Sequence, residues 1–466
     1  MALEKFFNPK SVAVIGATED PKKITSMIIK NLIEIGFAGR LVPVNPKRKE
    51  VFGFKCYSSL LDIKEQIDLT VISIPAKFVP EVLRQQATCG IKNAIIVSGG
   101  FGELGDKGVV LEEKIKSICR KEGIRLMGPN CIGVLDNYSN FSSSFLPWTK
   151  VKRPAKGNLS ILSQSGSFAT SVLDMLSEES MGVSKVINYG NRVDVGESEL
   201  IEYLTDDEST RVIGIYMESV DDGKRFINAS SRCSKSKPMI VLKVGKGDSG
   251  IDAARSHTGA IAGRYEIYKA AFKKSGIVEV RGFEEFMDAC KVLLMQNPTR
   301  GNKILIITND GGVGVAASDM CGVNGLDVAS TPSSVKEVLS RRFSEYYILN
   351  NPIDLTGSSG DEDYGIAMKS AFVDSDFFDA AIIITLMPPQ TMTEGVVEIV
   401  SQRARESGKP VVICTIGGKY TRKIKVMFEE NGIPVFPSPE RCVNAMSVLV
   451  ERGKLYNNLL SAYTKK

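Results

Sequence analysis

The sequence contains a single histidine, His257, in the stretch DAARSHTGAIAG at residues 252–263. A lone histidine is most often a packed core or surface residue. This one lies among Ala, Ser and Gly, which lack the large apolar side chains that bury an imidazole, and glycines flank the stretch on both sides. The pattern predicts a mobile loop that presents His257 as a nucleophile.

A carboxylate is a natural partner for such an imidazole, and Glu218 is a candidate. It ends the apolar run in IYMES, at the exit of a predicted strand. There its carboxylate would accept a hydrogen bond from one imidazole nitrogen and leave the other free to attack. An ordinary exposed carboxylate at a strand end fits the same pattern, and the residues alone leave both interpretations open.

The stretch SQSGSFA is a candidate anion site. Ser165, Gly166 and Ser167 follow a predicted strand and begin a helix of small residues. The free N–H groups at a helix start, together with hydroxyl groups, bind tetrahedral anions such as phosphate. A helix N-cap would account for one of these serines equally well.

The stretch TNDGGVG repeats this arrangement further along the chain. Gly311, Gly312 and Val313 again follow an apolar strand and begin a helix of small residues. The two stretches indicate a distant internal duplication of one fold. We expect the two helix N-termini to bracket a single phosphate.

The first strand-to-helix turn, VAVIGATEDPKK, is typical of a phosphate-binding turn at Gly16. It does not contain GxGxxG, because the next glycine is Gly36. The second strand ends in PVNPKRK, so Asn45 and then Lys47, Arg48 and Lys49 lie where an NAD-binding fold would carry Asp or Glu. Basic residues there favour a ribose with an extra phosphate, as in coenzyme A or NADP. An unliganded turn beside a solvated lysine patch is the alternative.

The stretch SGGFGE is a glycine-rich exit from the fourth predicted strand. Ser98, Gly99 and Gly100 lie at the edge of the sheet where α/β folds place ligands. Plain turn formation is an equally good explanation of these glycines. The stretch GPNCIG closes the fifth strand in the same layer.

Short β-branched runs alternate with amphipathic segments throughout the chain, which predicts an α/β fold with buried parallel sheets. The polar stretch NFSSSFLPWTKVKRPAKGN interrupts the rhythm near residues 140–158, and a second break follows at NPTRGNK. We therefore expect three domains, at residues 1–148, 149–297 and 298–466.

Composition excludes several classes of protein. Lys and Arg total 59 against 54 acidic residues, and no basic tract long enough to bind nucleic acid occurs. The nine cysteines form no CxxC pair, so we expect reduced thiols and no metal site. No signal-peptide pattern and no apolar run long enough to span a membrane are found, so we expect a cytoplasmic protein.

Eight stretches of the sequence together resemble the α subunit of the ADP-forming acyl-CoA synthetases, relatives of succinyl-CoA synthetase. In sequence order they are VIGATEDPKK, PVNPK, VSGGFGE, GPNCIG, SQSG, IYMES, SHTGA and TNDGGVG. The resemblance implies a Rossmann-like CoA-binding domain followed by two flavodoxin-like, doubly wound domains. It implies that His257 is phosphorylated and that Glu218 is its partner. Phosphate would bind at Ser165, Gly166, Ser167, Gly311, Gly312 and Val313. Coenzyme A would bind at Gly16, Ala17, Thr18, Lys23, Lys47, Ser98, Gly99 and Gly100. The sequence departs from the family at Lys22 and Thr25, where the family often has glycines.

The resemblance also implies the reaction. Phosphate converts acyl-CoA to acyl phosphate, His257 takes the phosphoryl group, and ADP receives it. The chain contains no GxxxxGK[ST] loop and no segment resembling an ATP-grasp domain. A separate ATP-grasp β subunit that holds ADP or ATP with Mg²⁺ is therefore expected, and the resemblance implies an α₂β₂ assembly.

Two alternatives remain at this point. One is a non-catalytic subunit that binds coenzyme A or a nucleotide. The other is an NADP-dependent oxidoreductase, which the absence of GxGxxG disfavours. The acid itself, whether acetate, a branched-chain acid or an aryl acid, is not determined by these patterns.

Overall fold

The computed structural model describes residues 3–247, residue 250 and residues 264–464. His257 lies outside the described residues. The chain divides into two compact units, Met1–Glu279 and Val280–Lys466. Among the described residues, the first unit contains two large sheets and one two-stranded sheet, and the second unit contains one sheet.

The first sheet has five parallel strands in the order β2-β1-β5-β6-β7. Its strands are short apolar runs buried on both faces, as a parallel sheet between two helix layers requires. A small antiparallel hairpin, β3-β4, follows β2. The elements are β1 (Ser11–Ile15), β2 (Arg40–Val44), β3 (Glu50–Val51), β4 (Phe54–Lys55), β5 (Leu69–Ile72), β6 (Asn93–Ile96), β7 (Arg125–Met127), α1 (Glu4–Phe7), α2 (Ile24–Glu34), α3 (Val79–Thr88) and α4 (Asp106–Glu122).

The second sheet has seven strands in the order β14-β13-β12-β10-β11-β8-β9. Its elements are β8 (Gly133–Asp136), β9 (Phe141–Ser142), β10 (Lys156–Ser163), β11 (Val183–Asn188), β12 (Val212–Met217), β13 (Met239–Lys243), β14 (Val278–Val280), α5 (Gly166–Glu178), α6 (Glu197–Asp206), α7 (Gly223–Cys233) and α8 (Tyr265–Ser275). The strand β8 pairs antiparallel with β11, and β9 pairs antiparallel with β8. A short loop between β8 and β9 leaves no room for the crossover that a parallel pair needs. This sheet therefore includes residues from before position 149, and the boundaries at 148 and 297 stay predictions.

The sheet of the second unit has five parallel strands in the order β16-β15-β17-β18-β19. Its elements are α9 (Phe283–Met295), β15 (Ile304–Thr308), α10 (Gly311–Val323), α11 (Ser333–Ser340), β16 (Ile353–Asp354), α12 (Asp361–Met368), β17 (Ala380–Ile384), α13 (Gly395–Ser407), β18 (Val411–Cys414), α14 (Lys419–Glu430), β19 (Val435–Phe436) and α15 (Pro439–Thr464). This order corresponds to β11-β10-β12-β13-β14 of the second sheet, since each follows the doubly wound pattern 2-1-3-4-5. The α/β fold class and the predicted repetition of one fold are therefore confirmed.

A buried charge cluster ties the antiparallel strand β8 to the rest of its sheet. Lys185 and Asp136 are directly opposite each other in the β11-β8 register. The Nζ atom of Lys185 lies 3.4 Å from a carboxylate oxygen of Asp136 and 2.8 Å from one of Asp207. The three side chains are only 3%, 5% and 14% exposed. Each charge is therefore compensated inside the fold, where an unpaired charge is costly.

Replacing Lys185 by Met leaves two buried carboxylates without their cation. We expect the variant to lose about 3–5 kcal/mol of unfolding free energy. Urea unfolding followed by the fluorescence of Trp148, the only tryptophan, measures this loss in the first unit. As a control, Arg84→Ala breaks an exposed pair with Glu81 and should cost no more than about 1 kcal/mol. Equal losses in the two variants would contradict the stabilising role of the cluster.

Candidate active site

A cavity of about 750 Å³ lies in the first unit, where strands of its two sheets end. Parallel sheets bind ligands at the carboxyl ends of their strands, which is where this cavity is found. It brings together residues from both predicted ligand-binding regions of the unit. Those proposed from the sequence are Gly99, Ser165, Gly166, Ser167 and Glu218, and those not proposed include Ile132, Asn188 and Arg192.

The helix α5 presents an open N-terminus to this cavity. Ser165 is its N-cap, because its Oγ accepts a hydrogen bond of 3.3 Å from the N–H of Phe168. The hydroxyls of Ser165 and Ser167 are 3.0 Å apart. Within the described part of the chain, no group accepts a hydrogen bond from the N–H of Gly166 or Ser167. Two N–H donors and the positive end of the helix dipole are thus available to an anion.

Glu218 lies in the same cavity, directly after β12, and is 7% exposed. The amide oxygen of Gln164 accepts hydrogen bonds from the N–H groups of Glu218 and Ser219, the latter at 3.0 Å. The guanidinium of Arg192 donates to the carbonyl of Ser219 at 2.6 Å. Among the residues with described positions, none donates to the carboxylate of Glu218. The backbone at Glu218 is therefore held on two sides while its side chain is available to a ligand.

A buried lysine that the sequence patterns did not single out lies beneath Glu218. The Nζ of Lys243 donates 2.8 Å to the backbone carbonyl of Glu218 and also bonds the carbonyl of Val244. It lies 4.5 Å from the ring centre of Tyr268. Lys243 is 1% exposed, and burial lowers the pKa of its ammonium group to about 8. The only sequence signal was a lysine inside the apolar strand PMIVLKVG.

The loop SGGFGE is held by a hydroxyl and a carboxylate of its own residues. The hydroxyl of Ser98 donates to the carbonyl of Ile74 at 2.6 Å, and the N–H of Gly100 donates to Glu103 at 2.5 Å. Burial alone would raise the pKa of Glu103, but hydrogen bonds from Asn191 and Gly100 outweigh it and lower the pKa. The N–H of Gly100 is therefore already occupied.

A second cavity, of about 630 Å³, surrounds the first turn of the chain. Gly16 has φ of +88°, and a side chain there would meet Ile74 and the carbonyl of Ser73 at 2.7 and 2.8 Å. The turn consequently requires glycine. The sequence-predicted residues that line this cavity are Gly16, Thr18, Lys23 and Ser98, joined by Lys22, Thr25, Asn45 and Arg48.

The second cavity is not lined by four other residues predicted for this site, which are Ala17, Lys47, Gly99 and Gly100. Ala17 is fully buried, and Lys47 is exposed, with its backbone N–H donating 2.9 Å to the side chain of Asn45. The adjacent Arg48 lines the cavity instead. Thr25, at a position where glycine was expected, is buried and donates 2.8 Å to the carbonyl of Gly16.

The second unit carries an N-terminus of the same design at α10. Asp310 caps this helix by accepting 3.1 Å from the N–H of Val313. In the described chain, the N–H groups of Gly311 and Gly312 have no acceptor. The side chain of Asn309 bonds both backbone groups of Leu386, just as Gln164 bonds the end of β12.

In residues 3–247 and 264–464, no group of three or more His, Cys, Asp or Glu side chains could hold a metal ion. No helix in these ranges is long and apolar enough to cross a membrane. All nine cysteines are free thiols.

Three family profiles match the chain in sequence order. They are a CoA binding domain at residues 10–137, a succinyl-CoA ligase like flavodoxin domain at 156–293 and a ligase-CoA domain at 304–453. The fold and these matches define a CoA ligase of the succinyl-CoA ligase type.

The relatives identify the family within this class. The chain is 38% identical over 461 residues to the α subunit of ADP-forming acetate–CoA ligase I of Pyrococcus furiosus, covering 97% of this chain and 98% of that protein. It is 38% identical to ADP-forming acetate–CoA ligase I of Archaeoglobus fulgidus, covering 97% of this chain but 64% of that longer protein.

A solved structure agrees with this assignment. Acetyl-coenzyme A synthetase 1 of Ca. Korarchaeum cryptofilum, in complex with phosphate and ADP, superposes with a TM-score of 0.91 at 32% identity. The match covers 99% of this chain and 98% of that one. The chain belongs to the family of ADP-forming acetate–CoA ligase α subunits, as the sequence motifs predicted.

Lys243 predicts a specific pH dependence of stability. Its pKa is about 8 in the folded chain and ordinarily 10.5, so between these values the unfolded chain binds more protons. Raising the pH from 8 to 10.5 should therefore stabilise the wild type relative to Lys243→Met, by up to about 3 kcal/mol. Urea unfolding at several pH values measures the difference between the two proteins. A difference that stays constant or shrinks as the pH rises would contradict this assignment.

Proposed function

We propose that this chain is the catalytic α subunit of an ADP-forming acyl-CoA ligase, which converts acyl-CoA, ADP and phosphate to the free acid, ATP and coenzyme A. The observation that carries this proposal is the open N-terminus of α5, which shares one cavity with Glu218 and with the loop at Gly99. An anion site, a carboxylate and the predicted CoA-binding loop thus meet in one place. Family membership favours a catalytic subunit over a non-catalytic regulatory one.

In the first step, a phosphate oxygen attacks the thioester carbonyl carbon of acyl-CoA. The new C–O bond forms, the C–S bond breaks, and coenzyme A leaves as the thiolate. The N–H groups of Gly166 and Ser167 would hold the phosphate. Phosphoryl and acyl transfers need positioning and charge stabilisation more than covalent help, which is what fixed backbone donors supply.

In the second step, an imidazole nitrogen of His257 attacks the phosphorus of the acyl phosphate. The N–P bond forms, the P–O bond to the acyl group breaks, and the acid leaves as its carboxylate. The carboxylate of Glu218 would accept a hydrogen bond from the other imidazole nitrogen and stabilise the positive charge that develops. Its backbone, held by Gln164 and Lys243, fixes where that acceptor lies.

The remaining predicted phosphate residues belong to α10. The open N–H groups of Gly311 and Gly312, and the same amide bridge behind the helix, support a second set of donors for the phosphoryl group. Val313 would contribute less, since its N–H is already bonded to Asp310.

The last step transfers the phosphoryl group to ADP, and we assign ADP and Mg²⁺ to a partner. The relative from Archaeoglobus fulgidus is longer than this chain, which aligns to 64% of it. We infer that a separate ATP-grasp β subunit, about half the length of this chain, supplies the corresponding function in an α₂β₂ assembly. We also propose domains at 1–148, 149–297 and 298–466, each containing one matched range.

Coenzyme A would bind along the second cavity. Lys22, Lys23 and Arg48 give this cavity a positive charge that suits the diphosphate and 3′-phosphate groups. Gly16 allows the backbone to approach these groups closely, and Thr18 adds a hydroxyl. Gly99 lines the first cavity, so the reactive end of coenzyme A would enter there.

His257→Ala tests the central claim. The chain incubated with acetyl-CoA and labelled phosphate should form acid-labile, alkali-stable phosphohistidine, and the variant should form none. With the β subunit and ADP, the variant's ATP formation should fall by at least about 10³-fold, because the chain has no other histidine. The chain without its partner should make no ATP.

Glu218→Gln is a milder variant for the same experiment, because it keeps the shape of the side chain and removes its negative charge. Its turnover should fall by about 10- to 100-fold, since a hydrogen bond to a charged group is worth about 1.5–3 kcal/mol. Substantial turnover in His257→Ala, or ATP formation by the chain alone, would refute the proposed function or its division between subunits.

Arg48→Ala should weaken coenzyme A binding by about 10- to 100-fold, because it removes a charge-assisted contact to a phosphate group. If that group is the 3′-phosphate, the variant should bind coenzyme A and 3′-dephospho-coenzyme A with equal affinity, measured calorimetrically on the chain. Lys47→Ala is the matched control and should have the smaller effect. A larger loss of coenzyme A affinity in Lys47→Ala than in Arg48→Ala would show that Lys47, and not Arg48, contacts the phosphate group.

A further inference from the structure

The proposed function fixes where the acyl group must lie. The attacking phosphate oxygen and the thioester carbon must approach to about 3–3.5 Å. If phosphate binds the N–H groups of Gly166 and Ser167, the acyl group lies beside the start of α5. The side chains that surround this helix start therefore bound the space for the acid.

Ile132 contributes an apolar side chain next to the start of α5. A methyl group placed on Gly166 would lie 3.1 Å from both Cδ1 and Cγ1 of Ile132. Ile132 also lines the cavity, so its side chain lies against the helix start and borders the same space. Phe145 and Leu146 extend the apolar lining of this cavity.

The backbone of Ile132 is firmly held. Its N–H donates 2.6 Å to the side-chain oxygen of Asn188, whose amide nitrogen donates 2.9 Å to the carbonyl of Ser163. Asn188 is 1% exposed. The next residue, Gly133, has φ of +93°, and a side chain there would lie 2.3 Å from Ser143 Oγ. Ile132 therefore cannot easily move away from a bulky acyl group.

The backbone around Phe145 and Leu146 is held by a buried amide in a similar way. The side-chain nitrogen of Asn31, itself 1% exposed, donates 2.8 Å to the carbonyl of Ser144 and 2.9 Å to that of Leu146. Phe145 lies between these two carbonyls. Two buried amide side chains thus fix the two apolar sides of the cavity.

The charges of the cavity oppose a second carboxylate on the acyl group. Of its described lining residues, only Lys116 and Arg192 are cationic. Lys116 pairs with Glu113 at 3.2 Å, and Arg192 pairs with Glu197 and Asp221 at 3.3 and 2.5 Å. A buried carboxylate on the substrate would find no unpaired cation among these described lining residues.

We infer that Ile132 limits the size of the acyl group, so that a smaller residue at this position admits larger acyl groups. This inference rests on the proposed function. Ile132 would restrict the acyl group sterically, since its side chain has only apolar atoms. The hydrogen bonds of its neighbours keep its backbone in position.

Steady-state kinetics of the chain with its β subunit test the inference, using acetyl-CoA and phenylacetyl-CoA. Ile132→Ala should raise the ratio of kcat/KM for phenylacetyl-CoA over acetyl-CoA by about 10-fold or more, because a few methyl groups in an apolar pocket discriminate to that degree. Ile132→Val should shift the ratio less. A ratio within one variant does not depend on how much of the protein is folded.

Ile24→Ala is the matched control. Ile24 lines both this cavity and the second one and is 42% exposed, so its truncation should affect both substrates alike and leave the ratio unchanged. An unchanged ratio in Ile132→Ala, or an equal shift in Ile24→Ala, would overturn the inference. A wild-type complex that makes no ATP from any acyl-CoA would instead refute the proposed function, and the inference with it.

Discussion

The side-chain amide of Gln164 joins the end of β10 to the end of β12, and the candidate site depends on this bridge. Its oxygen accepts from the N–H groups of Glu218 and Ser219, and its nitrogen donates 3.2 Å to the carbonyl of Ser219. Where parallel strands end, their backbone groups lose their sheet partners and need others. Because Gln164 directly precedes the helix cap Ser165, one residue sets the distance between the anion site and the carboxylate.

The same solution recurs at two other strand ends near predicted ligand sites. Asn309 bonds both backbone groups of Leu386 in the second unit, and Asn188 bonds Ile132 and Ser163 in the first. An amide side chain carries both donor and acceptor without charge, so it can satisfy a strand end at little desolvation cost. This leaves charged groups such as the carboxylate of Glu218 for substrate. The repetition at Gln164 and Asn309 also extends the internal duplication from topology to individual hydrogen bonds.

Local patterns predicted the strands, the helix starts and the α/β class, because buried parallel strands and capped helices leave signals within a few residues. They placed Ser165 and Glu218 in what proved to be one cavity. They did not predict the antiparallel strand β8, which depends on a short connection, or Lys243 and Ile132, whose roles depend on contacts far along the chain. The resemblance implied Lys47, and sequence order alone does not show that the neighbouring Arg48 lines the second cavity.

The two helix starts proposed as anion sites differ in their caps. The start of α5 is capped by a neutral hydroxyl, that of Ser165. The start of α10 is capped by the carboxylate of Asp310, and a methyl group on Gly311 would lie 2.6 Å from a carboxylate oxygen of Asp354. Negative charges at a helix start offset the dipole that attracts an anion. If the proposed phosphate sites are correct, the start of α5 should therefore bind phosphate more strongly than the start of α10.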